Sequence, residues 1–116
     1  YYHLSLGEWA EANGVRLPVI PPECEQPYHM FYLILPSLEY RQALIAHLKD
    51  HGILSVFHYL PLHLSAMGRK FGGQPGDCPV TEEISDRLLR LPFYNYLTEA
   101  QQSCVVDTIK EFKFKP

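Results

Sequence analysis

The residues best suited to chemistry in this sequence stand together in His58-Tyr59-Leu60-Pro61-Leu62-His63. Two imidazoles and a phenol offer hydrogen bonds and an aromatic face without a permanent charge. Pro61 limits the backbone freedom between them. The run follows an apolar stretch, Ile53 to Phe57, that reads as a strand, so it sits at a strand's carboxyl end. Open sheets often place ligand contacts there. The same residues also suit a purely structural corner with a buried tyrosine. Residue types alone leave both readings open.

Six histidines raise the question of metal binding. His58 and His63 have four residues between them, across a strand end and a proline turn, with no glutamate among them. That is not the helical i,i+4 pair of a zinc protease. Cys24, Cys78 and Cys104 are scattered, form no CxxC, and Cys104 falls on the inward stripe of a helix. The spacing gives a zinc module little support, and nothing sets a cysteine beside a histidine for nucleophilic catalysis. His3, His47 and His51 fall on helix ends or exposed faces, and His29 opens a strand as a structural residue.

The elements that must position the 58–63 run can be read from periodicity and punctuation. Tyr2, Leu6, Trp9 and Asn13 keep helical spacing, and Asn13-Gly14 stops the helix. No capping residue opens it, so the chain is expected to start inside an element and to be a piece of a larger protein. Pro18, Pro21, Pro22 and Pro27 make residues 16–27 an extended connector. Residues 28–35, rich in aromatic and β-branched side chains, form a strand expected to be central. Ser37 caps a helix from Leu38 to about His51 with Leu44, Ile45 and Leu48 inward, and Gly52 ends it. Residues 53–59 form a second strand.

Residues 60–79 read as irregular, with 71–77 the least constrained part. Thr81 is expected to cap a helix carrying Ile84, Leu88, Leu89 and Leu91 on its core side, with Glu83–Arg87 and Asp86–Arg90 as i,i+4 pairs. Thr98-x-x-Gln101 is a capping box opening a last helix with Ala100, Cys104, Val105, Ile109 and Phe112 inward. Two strands alone are not stable, so a third is expected near Leu89 to Pro92 or Val19-Ile20. The fold class is α+β, a small antiparallel or mixed sheet with helices on one face.

Composition excludes several functions. The 116 residues are 47% hydrophobic and 20% charged with a formal net charge of −3, which describes a globular domain and not a disordered segment. No apolar run approaches the about 20 residues of a membrane span. Lys and Arg total 10 against 13 acidic residues, which leaves no basic footprint for nucleic acid. Three cysteines, odd and sparse, suit a reducing, cytoplasmic setting.

Taken in order, His29-Met30-Phe31-Tyr32, then Val56 through His63, then Arg87-Leu88-Leu89-Arg90-Leu91-Pro92-Phe93-Tyr94-Asn95, then Leu97-Thr98 and its helix, form a set. It resembles the C-terminal portion of the DegT/StrS-type sugar aminotransferases from about Leu17 to Phe112. The resemblance implies the small C-terminal domain of a fold type I enzyme that depends on pyridoxal 5'-phosphate and works as a homodimer. Such enzymes move an amino group from glutamate to a 4-keto-6-deoxy nucleotide sugar in polysaccharide synthesis. Residues 1–14 would end the interdomain helix and residues 15–116 would form the domain.

By the same resemblance, Tyr59 and His63 would face the nucleotide-linked keto sugar, with His58 and Asn95 on the same wall and Phe71 and Arg69 touching substrate from a loop. The family's imine-forming lysine lies in a Ser-x-x-Lys motif, and none of Lys49, Lys70, Lys110, Lys113 or Lys115 follows a serine at that spacing. The cofactor would therefore be held mainly outside this chain, which alone would be inactive. The alternative is a non-catalytic α+β module for ligand binding or interaction.

Overall fold

The computed structural model describes residues 1–114. Helix α1 (Tyr2–Ala12) turns Tyr2, Leu6 and Ala10 inward and leaves Trp9 half-buried. It stops at Asn13, and Gly14 follows at φ +64°, a conformation that suits glycine. Strand β1 (Tyr32–Ile34) leads to helix α2 (Leu38–Asp50), where the Ser37 side chain accepts from the Tyr40 N–H as expected. After β2 (Val56–Phe57) come a 3-10 turn (Leu62–Leu64), a short helix α3 (Ala66–Lys70), helix α4 (Pro79–Arg87), β3 (Leu88–Arg90) and helix α5 (Glu99–Glu111). Thr98 and Gln101 form the full capping box at α5.

The sheet is antiparallel in the order β1-β3-β2, so the α+β architecture is as read from the sequence. The expected strand at residues 28–35 is shorter and lies at the edge of the three, not the centre. Tyr28 adopts φ +50°, which breaks the extended run. On its outer side β1 takes one bridge, where Arg16 and Ile34 exchange both backbone hydrogen bonds at 3.0 and 2.9 Å. The central strand is β3, which falls at one of the two places expected for a third strand, although the sequence reading also counted its leucines on the core side of the preceding helix. Leu89 pairs with Leu33 on one side and Phe57 on the other, and both leucines are fully buried.

Leu33, Leu35 and Leu89 share one core with Leu6 of α1, Leu44 and Leu48 of α2, and Val105, Val106 and Ile109 of α5. Three further expectations change. Helix α4 starts at Pro79 with Cys78 as its N-cap, not at Thr81. Proline has no N–H to lose at a first helical position, and its fixed φ suits that place. Arg90 lies in β3, so it has no helical pairing with Asp86, whereas Arg87 does pair with Glu83. Cys104 and Ala100 are exposed because Val105, Val106, Thr108 and Ile109 set the buried face of α5.

Candidate functional site

The run singled out by its residue types leaves the sheet at the end of β2. Pro61 is buried, and the chain then winds through the 3-10 turn into α3. The Ser65 hydroxyl donates to the Leu62 carbonyl at 2.7 Å and accepts from the Gly68 N–H at 3.0 Å. The Gly73 N–H donates to the Gly68 carbonyl at 3.0 Å. This knot is very tight. A Cβ on Gly68 would lie 2.1 Å from the Leu62 carbonyl oxygen, and one on Gly73 would lie 2.2 Å from that of His63. The segment expected to be irregular is therefore closed upon itself, and residues 71–77 are hydrogen-bonded at Gly73, Gln74 and Gly76.

Helix α4 pins the knot at two places. His63 Nε2 lies 2.8 Å from Glu82 Oε1, and the same carboxylate accepts from the Gly76 N–H at 2.9 and 3.1 Å and from the Cys78 N–H at 3.4 Å. The His63 hydrogen bond, followed by the Gly76 N–H, holds the Glu82 carboxyl below the usual carboxylate range against an opposing cost of desolvation, with lesser help from the Cys78 N–H and the His63 charge. An ionised carboxylate only accepts, so His63 Nε2 carries the hydrogen. The Ser85 hydroxyl donates to the Tyr59 carbonyl at 3.1 Å. The backbone on both sides of Pro61 is thereby fixed to one helix face.

Tyr59 itself is free to meet a ligand, since 72% of it is exposed. The His58 ring meets it edge-on at 5.0 Å, and the Arg90 guanidinium stands 5.6 Å from the ring centre. Buried His58 Nδ1 and Arg90 Nε have no hydrogen-bond partner among the described residues. Arg41 Nε and Ser55 Oγ are likewise buried without a partner among the described residues; such atoms are uncommon in folded proteins. The structure thus gathers Tyr59 and His58 with Arg90, a residue the sequence reading did not single out for the site: it paired Arg90 with Asp86 on a helix while also allowing a strand from Leu89 to Pro92.

The other candidates lie apart. His63 turns to Glu82 and is mostly buried. Arg69 Nε donates to the Leu64 carbonyl at 3.1 Å inside the knot. Phe71 is 85% exposed just beyond α3. Asn95 lies on the link to α5, in an open groove of about 860 Å³ with Tyr28, His29, Phe93 and Tyr94. His47 and His51 have structural roles, bonded to the carbonyls of Thr108 and His47 at 2.9 and 2.8 Å. Among the described residues, no group of three or more His, Cys, Asp or Glu is placed to hold a metal. The three cysteines are free and exposed, and among the described residues no helix is long and apolar enough to cross a membrane.

Comparison with known proteins gives the family of the chain. A pleiotropic regulatory protein of Geobacillus stearothermophilus is 38% identical over 103 residues, which are 88% of this chain and 27% of that protein. The dTDP-3-amino-3,4,6-trideoxy-alpha-D-glucose transaminase of Micromonospora megalomicea subsp. nigra is 28% identical over 108 residues, 91% of this chain and 28% of that enzyme. The crystal structure of S. venezuelae DesV in complex with a ketimine intermediate matches with a TM-score of 0.81 at 30% identity, over 92% of this chain and 28% of DesV. NtdA from Bacillus subtilis with bound cofactor PMP shares the fold, with a TM-score of 0.75 at 20% identity over 93% of this chain and 25% of that one. The chain spans just over a quarter of the length of the curated relatives named here. Residues 1–110 match the DegT/DnrJ/EryC1/StrS aminotransferase family, and the chain belongs to it.

Proposed function

We propose that this chain is the substrate-side, C-terminal small domain of a cytoplasmic nucleotide-sugar aminotransferase. In this reading residues 1–14 end a helix from the large domain and residues 15–116 form the small one. The parent, a homodimer, moves an amino group from glutamate to the keto carbon of a 4-keto-6-deoxy nucleotide sugar for polysaccharide synthesis. The observation that carries the reading is Tyr59, an exposed phenol on a turn fixed to α4, beside a guanidinium with an orphaned buried nitrogen. A transaminase and DesV among the similar proteins support the reaction class.

Pyridoxal phosphate, when bound in the parent, supplies the electron sink for moving the amino group. The described residues of this chain do not fit its covalent anchor. A lysine that forms an imine works from a desolvated pocket, and Lys49, Lys70, Lys110 and Lys113 are all exposed; Lys115 lies outside the described residues. The part of this chain is orientation. Tyr59 offers a donor and an aromatic face to the sugar nucleotide, and His63 acts through Glu82 as a positioning residue that keeps the turn in place. Asn95, Phe71 and Arg69 take a minor part as outer contacts.

The test uses the full-length protein that contains this chain. Tyr59→Ala should raise KM for the nucleotide sugar with cofactor absorbance retained. His63→Ala should raise KM more than it lowers kcat. Unchanged sugar affinity and turnover in both variants would overturn the assignment. A second reading, a non-catalytic ligand-binding or interaction module, is favoured by the similarity to a protein named as a pleiotropic regulator. It predicts nucleotide-sugar binding with no amine formed.

A further inference from the structure

His47 and His51 stand four residues apart at the carboxyl end of α2, so they share one side of that helix. This is the spacing that His58 and His63 lack. The two rings lie 4.5 Å apart between centres and tilt by 48°. Each is already held by a backbone carbonyl, His47 Nε2 by that of Thr108 at 2.9 Å and His51 Nδ1 by that of His47 at 2.8 Å. A carbonyl oxygen only accepts, so both of those nitrogens carry hydrogen. In the neutral rings His47 Nδ1 and His51 Nε2 each keep a lone pair. Neither has a hydrogen-bond partner among the described residues, and neither is among the buried orphaned atoms, so solvent reaches both.

A metal-binding imidazole is ordinarily set in this way. Its second nitrogen donates to a carbonyl or carboxylate, which fixes the ring and raises the basicity of the first. The spacing fits as well. A divalent ion about 2.1 Å from one nitrogen of each ring lies roughly 3.2 Å from each ring centre, which at a right angle sets the centres about 4.6 Å apart. The observed 4.5 Å agrees. His47 is half-buried and fixed by α5, with the Phe112 ring 5.5 Å away. His51 is exposed and has one local hydrogen bond, so its ring can turn toward an ion. The carboxyl end of a helix is the negative pole of its dipole, which favours a cation. Of the charged residues in that last turn, exposed Asp50 adds to this and exposed Lys49 opposes it.

We propose that His47 and His51 form a two-imidazole site for a divalent transition ion, zinc, nickel or copper. No third His, Cys, Asp or Glu among the described residues joins them, so water completes the coordination. Imidazole ligands select these ions over magnesium and calcium, which take oxygen. The bound ion fastens the end of α2 to α5, because the same His47 ring holds the Thr108 carbonyl. The site stands apart from the proposed reaction and needs no nucleotide sugar. Zinc chloride is titrated by calorimetry into the full-length protein that contains this chain, with magnesium chloride as the comparison, above the ordinary imidazole range so that both rings are neutral. His51→Ala should remove one zinc site or weaken it by about tenfold or more. His47→Gln, whose amide can still donate to the Thr108 carbonyl, should do the same. Zinc should raise the Tm of the wild type more than that of either variant. Copper(II) at this site should show two imidazole nitrogens by electron paramagnetic resonance, and one in His51→Ala.

Equal zinc stoichiometry and affinity in the wild type and both variants would overturn the proposal. So would magnesium binding as tightly at the same site, since that denotes oxygen ligands. A loss confined to one of the two variants would also overturn it, since that denotes a lone imidazole. If His47→Gln does not fold, His51→Ala carries the titration and the copper spectrum counts the nitrogens. A wild-type spectrum with a single imidazole nitrogen then sinks the paired site.

Discussion

Replacing Gly68 by alanine places a Cβ 2.1 Å from the Leu62 carbonyl oxygen, 2.6 Å from the His63 oxygen and 2.7 Å from the His63 carbonyl carbon. All three neighbours are backbone, so no flexible side chain can move aside. Restoring ordinary contact requires α3 to shift by roughly 1 Å away from the 3-10 turn, against the hydrogen bonds from Gly68 and Gly73. Overpacking of this kind costs about 1–3 kcal/mol. Alanine's better helix propensity recovers at most about 1 kcal/mol. Urea unfolding should therefore show a net loss of up to about 3 kcal/mol, and limited proteolysis should cut faster between residues 60 and 78. Gly7→Ala is the internal control, because a Cβ there meets nothing within 4 Å and lies in α1. It should stabilise by about 0.5–1 kcal/mol. A Gly68→Ala protein as stable and as protease-resistant as the wild type would refute the closed knot.

Three further outcomes follow from the same contacts. The folded-state lowering of the Glu82 pKa means that its ionised form stabilises the knot above the ordinary glutamate range of about 4.3, and that this is lost as pH falls through the lowered value. Proteolysis of the 60–78 segment should accelerate in acid for the wild type, whereas Glu82→Gln should be susceptible at neutral pH with little further change. Leu89→Ala, in the fully buried central strand, should cost about 2–5 kcal/mol in urea unfolding, while Cys104→Ser, exposed on α5, should stay within about 0.5 kcal/mol. Thr98→Ala should cost about 1 kcal/mol and speed amide exchange in the first turn of α5.

Helix ends were legible because their determinants are local. Ser37 and the Thr98–Gln101 pair lie within one turn of the N–H groups they accept from, so the sequence shows cap and helix together. The third strand was legible only as one of two possible places, Leu89 to Pro92 or Val19-Ile20, the first of which holds it. Leu88, Leu89 and Leu91 continue the apolar spacing of α4, and only pairing with residues more than 30 positions away turns Leu88–Arg90 into the middle of a sheet. That one shift moved Arg90 from a solvent-facing helical pair to a place beside the Tyr59 ring. The cluster at residues 58–63 was visible from residue types. Its division was not, because the tie between His63 and Glu82 spans 19 positions and depends on the knot. Helix α3 has five residues, too few for a hydrophobic period. Cys104 was misplaced by one helical step, since the inward direction of α5 is set by the core it meets.

The central claim is that Tyr59 stands at the substrate wall of a sugar aminotransferase. The most direct measurement incubates the full-length protein with a 4-keto-6-deoxy nucleotide sugar and nitrogen-15 glutamate, with mass spectrometry of the sugar. Labelled amino sugar should form, and Tyr59→Ala should slow it at subsaturating sugar by about tenfold or more. No transfer of label, or transfer unaffected by the loss of the Tyr59 ring, would contradict the account.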